Sequence, residues 1–475
     1  MDKDSPALTY KDVLLKPKRS PLSSRREANL DSRFTRNVEL SVPFVSSNMA
    51  TVTEHETAIA MAREGGIGVI HQFIPPEKQA EQIEKVKRST SYIIHNPITV
   101  DPDTSLKQAQ RVMRENDITS VLVEKKGKLK GIMTRRDYIF EDDSKTLVEE
   151  LMTPRSDLVT ADPGIELEEA KKVLFDNRIE KLPLVEDNEI KGLITGKDIK
   201  KLEHWPQSNR DKQGKLRVAA AVGVSDALQR SEVLVESGVD VLVLDIAHGH
   251  SDMMINTLEE MKNSFDIDVM AGNIATKEGA EDLINAGADG LKVGIGPSPV
   301  CTTRVRAGAG VPQFSAVKNV AEYAQKQGVP ITADGGMRYP GDAAKAIAAG
   351  ASSIYSGFFF AGTDEAPGRI IFKDGRRYKK YIGSASYENN HKRKERKKDE
   401  RIKERLDVFV EGVSSLVDYK GSVADVISSL KKGVQSSISY CGAEDISEMQ
   451  ENSEFVRITA SGWQESKSRG KEERS

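Results

Sequence analysis

Outside its middle region the chain carries eight short apolar runs of strand character, at 42–47 (VPFVSS), 67–71 (IGVIH), 217–222 (RVAAAV), 240–245 (DVLVLD), 267–272 (IDVMAG), 290–295 (GLKVGI), 329–333 (VPITA) and 352–357 (SSIYSG). Most are separated by stretches with helical periodicity, such as AIAMAREG, ALQRSEVLVESG, EGAEDLINAG and DAAKAIAAG. Each of these ends at a glycine, which suits a helix carboxyl terminus. Eight strands alternating with helices predict an α/β fold, a closed (β/α)8 barrel of the TIM type, with a doubly wound open sheet as the alternative. In the barrel, chemistry sits where strands end, and Ser47, Asp245, Asn273, Gly296, Asp334 and Gly357 fall there.

The second and third runs lie about 145 residues apart, far beyond a simple crossover. An internal repeat fills the gap. TVDP at 99–102 recurs as TADP at 160–163 and GIMTRRD at 131–137 as GLITGKD at 192–198, an offset of 61 residues without a gap. Each copy reads as a strand, a helix (LKQAQRVMREN; LEEAKKVLFDN), two strands and a helix start at the aspartate. The doubled ending resembles a CBS domain pair. That resemblance implies a purine nucleotide held by Thr134, Asp137, Thr195 and Asp198; the alternative is that these residues only cap helices, a role Thr and Asp favour. The expected division is barrel over 1–94, paired modules over 95–203 (about 95–153 and 154–203), and barrel again over 204–475.

Composition narrows the class further. Seventy Lys and Arg against 73 Asp and Glu give a formal charge of −3, with no general pull towards nucleic acid or membrane. No apolar run approaches the roughly 20 residues a membrane-spanning helix needs, and the first residues, MDKDSPALTYKD, lack an apolar signal core. A cytoplasmic protein is expected. Two cysteines fit a reducing compartment and exclude a disulfide framework. One of them, Cys301, stands in the Gly- and Pro-rich loop GIGPSPVCTTR (294–304) directly after an apolar run. Such a thiol is presented for chemistry, and Arg304 is placed to favour its reactive thiolate.

Several segments in order along the chain resemble the IMP dehydrogenase and GMP reductase family: LTYKDVLLKP (8–17), SSNMATVTE (46–54), GGIGVIHQ (65–72), LDIAHGH (244–250), AGNIAT (271–276), the cysteine loop, ADGGMRYPGDAAKAIAAGAS (333–352), AGTDEAPG (361–368) and YKGSV (419–423). An inserted CBS pair is also that family's usual architecture. The resemblance implies that Cys301 attacks C2 of a purine nucleotide to give a covalent thioimidate, with hydride exchange at that carbon by NAD or NADP. Asp334 is then matched to the ribose hydroxyls, and Gly335, Gly336 and Gly357 to the phosphate through backbone N–H groups. Ser47, Met49, Asn273, Tyr381 and Gly383 complete the implied substrate set. Asp245, Gly294, Ile295 and Gly296 match the nicotinamide side, and the carbonyls of Gly296, Ser298 and Cys301 match a potassium site. Homotetramers that pair into octamers are the implied assembly.

The chain also departs from the family. Ser298 and Pro299 replace the usual Gly-Ser before the cysteine, and Phe358 stands where Ser or Gly follows Gly357. Phosphate binding is then expected to lean on backbone amides, Ser47 and Tyr381. Dehydrogenases hydrolyse the thioimidate with an Arg-Tyr pair on a flap, here expected over about 384–411. The segment reads ENNHKRKERKKDERIKER (388–405), with no tyrosine after any arginine. Thr303 and Glu411 match the Thr and Glu that both branches share, YKG beginning eight positions after Glu411. PQFSAV (312–317), FFAGT (359–363) and SSISY (436–440) are reductase-like, whereas IAHGH (246–250), EAPG (365–368) and the CBS insert are dehydrogenase-like. GMP reductase is the favoured expectation, IMP dehydrogenase the alternative, and a catalytically inactive nucleotide sensor a third. The charge run interleaves acids with bases and has no aromatics, which argues for a solvated segment and against nucleic-acid binding. The last residues, about 466–475, read as a disordered tail.

Overall fold

The structure, a computed structural model, describes residues 6–89, 93–94, 96–116, 118–203, 205–384, 386 and 412–467, the side chains of 198 and 201–203 excepted. Glu411, most of the charge run's surroundings and the last eight residues lie outside these. The chain divides into two compact units, one of residues 1–89, 207–209 and 216–475, the other of 90–206 and 210–215.

In the first unit eight parallel strands close on themselves: β1 Phe44–Ser46, β2 Ile67–Ile70, β3 Ala219–Val222, β4 Val241–Asp245, β5 Asp268–Ile274, β6 Gly290–Val293, β7 Ile331–Asp334 and β8 Ser353–Ser356. Each pairs with its successor in the chain, and β8 pairs with β1, Ile354 lying opposite Phe44. The open-sheet alternative is thereby excluded. The strands read as near-continuous apolar runs because both faces are covered. Val45, Val69, Ala219, Ala221, Val243, Met270 and Tyr355 fill the barrel interior, while Phe44, Ile70, Ala220, Leu242, Leu244 and Leu291 pack outwards in the core shared with the helices. The helices His55–Arg63, Ala227–Glu236, Lys277–Asn285 and Pro340–Ala348 are followed by Gly65, Gly238, Gly287 and Gly350. All four glycines have left-handed φ, between +85° and +109°, which ends the helix and returns the chain to the next strand.

A three-stranded antiparallel sheet, Ile371–Lys373, Arg376–Ile382 and Ser414–Asp418, follows β8 and carries Tyr381. The long helix Val423–Tyr440 then starts at a capping box between Ser422 and Asp425.

The second unit is built twice. Helix Leu106–Glu115 recurs as Leu167–Asp176, strand Ser120–Lys125 as Lys181–Glu186, and strand Lys128–Thr134 as Glu189–Thr195, each displaced by the 61 residues of the sequence repeat. The copies share one sheet, and each has its own small core, around Met113 and Val123 in the first and Leu174 and Leu184 in the second. Among the described residues no helix is long and apolar enough to cross a membrane.

Candidate active site

The carboxyl ends of the barrel strands surround a cavity of about 400 Å³. Its reactive group comes from the loop after β6. Gly294 and Gly296 turn the chain with φ of +151° and +79°, the Cys301 N–H donates to the Ser298 carbonyl at 3.0 Å, and the short helix Thr303–Arg306 begins two residues later. Cys301 is half-buried and unbridged, and its Sγ lies 3.2 Å from the Thr303 hydroxyl. Arg304 is not on the thiol. Its guanidinium donates to the carbonyls of Ile295 (3.1 Å) and Val311, so it chiefly ties the loop together; burial pushes its pKa down and the charge of Cys301 opposes this. Backbone contacts also dock the loop against residues 412–413, Cys301 pairing with Gly412 and the Val413 N–H donating to Val300 O at 2.9 Å, and the Gly383 N–H in turn donates to Val413 O at 3.1 Å.

The floor of the cavity is polar and tightly bonded. The ammonium of Lys292, from β6, lies 2.8 Å from Asp245 Oδ1 at the end of β4 and 3.0 Å from Asp334 Oδ2 at the end of β7. Asn48 donates to Asp245 Oδ2 at 2.7 Å and accepts from the Tyr355 hydroxyl at 2.9 Å. Asn273 donates to Asp334 Oδ2 at 2.9 Å and to the Gly294 carbonyl at 2.6 Å, and its buried Oδ1 has no partner among the described residues. An acceptor that close to the open cavity is suited to a ligand donor.

The opposite wall is built for close approach. Gly335 and Gly336, after β7, both have φ of +82°, and a Cβ on Gly335 would come within 3.4 Å of the Ser298 N. At Gly357, after β8, a Cβ would lie 2.6 Å from both Met49 Sδ and the Tyr381 hydroxyl. Any side chain there would fill the cradle. Tyr381 is buried, which raises its pKa, and its hydroxyl is hydrogen bonded to the Ser298 side chain. Phe358 lines the cavity beneath the Lys420 ammonium, which sits 4.3 Å from the ring centroid and donates to the carbonyls of Phe358 and Phe359. Lys420 thus holds, from behind the cavity lining, the turn that Phe358 occupies.

The cavity therefore brings together Ser47, Met49, Asp245, Asn273, Gly294 to Gly296, Ser298, Cys301 and Thr303 with Asp334 to Gly336, Gly357, Tyr381 and Gly383. Glu411 lies outside the described residues, but Gly412 beside it lines the cavity. Sequence reasoning missed Asn48, Lys292 and Tyr355. A lysine inside the apolar run GLKVGI was a usable signal, because a barrel strand buries both faces. In the other unit, Thr134 donates its N–H (2.6 Å) and hydroxyl (2.9 Å) to Asp137, a mutual cap on the helix that follows. Thr195 ends its strand in the second copy, and the Asp198 side chain lies outside the described residues. Among the described residues no group of three His, Cys, Asp or Glu side chains is placed to hold a metal ion.

A free, half-buried thiol, a polar floor and a glycine cradle, all around one cavity at the carboxyl end of a closed barrel, are the arrangement of a barrel enzyme's active site. Residues 7–469 match the model of the IMP dehydrogenase / GMP reductase domain. The chain is 47% identical over 465 residues to the inosine-5'-monophosphate dehydrogenase of Nitrosopumilus maritimus, covering 97% of both. It is 44% identical over 474 residues to the GMP reductase of Leishmania donovani, covering 97% of this chain and 96% of the relative. Among solved structures, a cysteine-to-alanine variant of GMP reductase from Trypanosoma brucei in complex with guanosine 5'-monophosphate matches with a TM-score of 0.84 at 43% identity, over 98% of each chain. The chain belongs to the IMP dehydrogenase/GMP reductase family and is an NAD(P)-dependent purine-nucleotide oxidoreductase.

Proposed function

We propose that the chain is a GMP reductase, turning GMP, NADPH and two protons into IMP, NADP and ammonium. The observation that carries this reading is the run 388–405, which has no tyrosine after any arginine and so lacks the family's water-activating pair. Without that pair a thioimidate is not hydrolysed, whereas reduction needs no water. Relatives bearing either name are similarly close, so overall identity does not choose between them.

In this reading the Cys301 thiolate adds to C2 of GMP and the 2-amino group leaves as ammonia. Its proton comes through Thr303, which already touches the sulfur, with Glu411 as the acid behind it. The nicotinamide supplies a hydride to C2 when bound, and C–S cleavage then returns the thiolate and frees IMP. Asp334 accepts the ribose hydroxyls on Oδ1, which has no partner among the described residues, and Asn273 steadies that carboxylate through Oδ2. The phosphate is held by the backbone of Gly335, Gly336 and Gly357 with Ser47 and Tyr381. Asp245 and residues 294–296 face the nicotinamide. Potassium binds the carbonyls of Gly296, Ser298 and Cys301; the Ser298 oxygen keeps a lone pair free after accepting from Cys301. The doubled unit is a CBS pair that senses a purine nucleotide, and the enzyme assembles as a tetramer or octamer in the cytoplasm. The dehydrogenase reading rests on IAHGH and EAPG.

A rapid-mixing experiment with IMP and NAD separates the two. A reductase gives a burst of about one NADH per Cys301 as the thioimidate forms, and then stalls. Continued NADH production with XMP accumulating would contradict the assignment.

A further inference from the structure

Lys292 stands out among the groups that the proposed chemistry does not use. Its side chain is 4% exposed and comes from the middle layer of a strand otherwise made of Gly, Leu and Val. It bonds at once to the carboxylate assigned to the nicotinamide side, Asp245, and to that assigned to the nucleotide ribose, Asp334. The remaining face of its ammonium lies over the Tyr355 ring, 4.8 Å from the centroid. Burial works against the charge, but Asp245 and Asp334 outweigh it and hold the pKa above the ordinary lysine value.

Two carboxylates brought to one floor repel each other unless a cation separates them. Here one ammonium serves both. Asp245 is held at both oxygens, Oδ1 by Lys292 and Oδ2 by Asn48. Asp334, which lines the cavity, carries Lys292 and Asn273 on Oδ2, so that Oδ1 has no partner among the described residues.

We infer that Lys292 is a positioning residue: bridging Asp245 and Asp334, its ammonium offsets their mutual repulsion and fixes Asp334 Oδ1 to receive the nucleotide ribose. This rests on the proposed role of Asp334, and it makes no contact between Lys292 and the reacting carbon. A specific consequence follows from the charge count. Removing the lysine alone leaves Asp334 facing an uncompensated Asp245, whereas removing the lysine and neutralising Asp245 leaves a single anion beside Asn273.

The test is calorimetric binding of GMP and of IMP to the full chain carrying Cys301→Ala, which keeps the readout independent of turnover and of which reaction is catalysed. Lys292→Met is expected to weaken the tighter of the two nucleotides by at least about tenfold, and Lys292→Arg, which keeps the charge, by no more than about threefold. The double substitution Lys292→Met with Asp245→Asn should bind within about threefold of Asp245→Asn alone, because the repulsion is gone. That pair also carries the test if Lys292→Met alone fails to fold. A double variant that remains tenfold weaker than Asp245→Asn would show that the lysine acts by packing or by direct contact, and would overturn the inference alone. Failure of the Cys301→Ala parent to bind either nucleotide would overturn the reading of Asp334 and the inference with it.

Discussion

The two units of this chain bury different things. Among the described residues, the barrel unit encloses Asn48, Gln79, Arg230, Asp289, Lys292, Gln313 and many more polar side chains, whereas the repeated unit fully buries only one, Ser120. The repeated unit's cores are apolar, and its ion pairs, such as Lys125–Asp103 and Arg136–Glu180, lie in solvent where they contribute little. Burying a charge is costly unless each partner is satisfied. The barrel therefore spends stability on fixed polar geometry at one end of its strands, and the repeat leaves most of its charged groups at the surface. Catalysis is expected to depend on the first arrangement and regulation on the second.

The sharpest division comes at the thiol. Cys301→Ala should abolish turnover, a loss of about 10³-fold or more, while nucleotide binding largely survives; Cys301→Ser should fail too, since oxygen replaces the thiolate poorly. Near wild-type rates in either variant would end the covalent mechanism. The next effect should come from Glu411→Gln, which slows ammonia release by about 10²-fold if the carboxyl is the acid behind Thr303. Equal effects on hydride transfer measured alone would show that it acts elsewhere.

Deleting about residues 95–203 and closing with a short linker should leave basal activity within severalfold, because the unit has its own cores and lies between two barrel strands. Loss of all activity in a folded, correctly assembled deletion protein would erase the distinction between the units. Asp137→Ala with Asp198→Ala should reduce purine-nucleotide effects on the rate without changing the rate in their absence. Since Thr134 and Asp137 cap each other, a loss of stability with unchanged nucleotide response would assign them the capping role only.

The smallest effect concerns Lys420, whose pKa burial brings down to about 8 from 10.5, with Asp418 working the other way. Between these values the unfolded chain holds a proton that the folded one has released, so this group makes stability rise with pH across the window. Lys420→Met should flatten that rise, read as the change in urea midpoint between about pH 7 and about pH 10.

Much of this was legible before any coordinates. Both-face burial wrote all eight barrel strands as apolar runs, and the left-handed glycines marked four helix ends. The 61-residue repeat returned as an equal displacement of three elements. What was not legible was pairing across the barrel. Lys292 on β6 reads as one polar interruption, and the order of the sheet, with β7 beside β6 and β4 beyond β5 on the other side, brings it between the ends of β4 and β7. Asn48, just after the first barrel strand, and Tyr355, on the last, meet because the barrel closes. Arg304 illustrates the reverse: three residues from the thiol in sequence, it turns to the backbone of its own loop.

The central claim is that this barrel reduces GMP. The most direct measurement follows the nicotinamide absorbance with two substrate pairs, and assays ammonia and nucleotide products at the end. GMP with NADPH should oxidise one NADPH per ammonia and per IMP formed, and IMP with NAD should give little or no XMP. Steady XMP formation from IMP and NAD, with no GMP-dependent oxidation of NADPH, would contradict the account and place the water-activating base on an arginine of the 388–405 run.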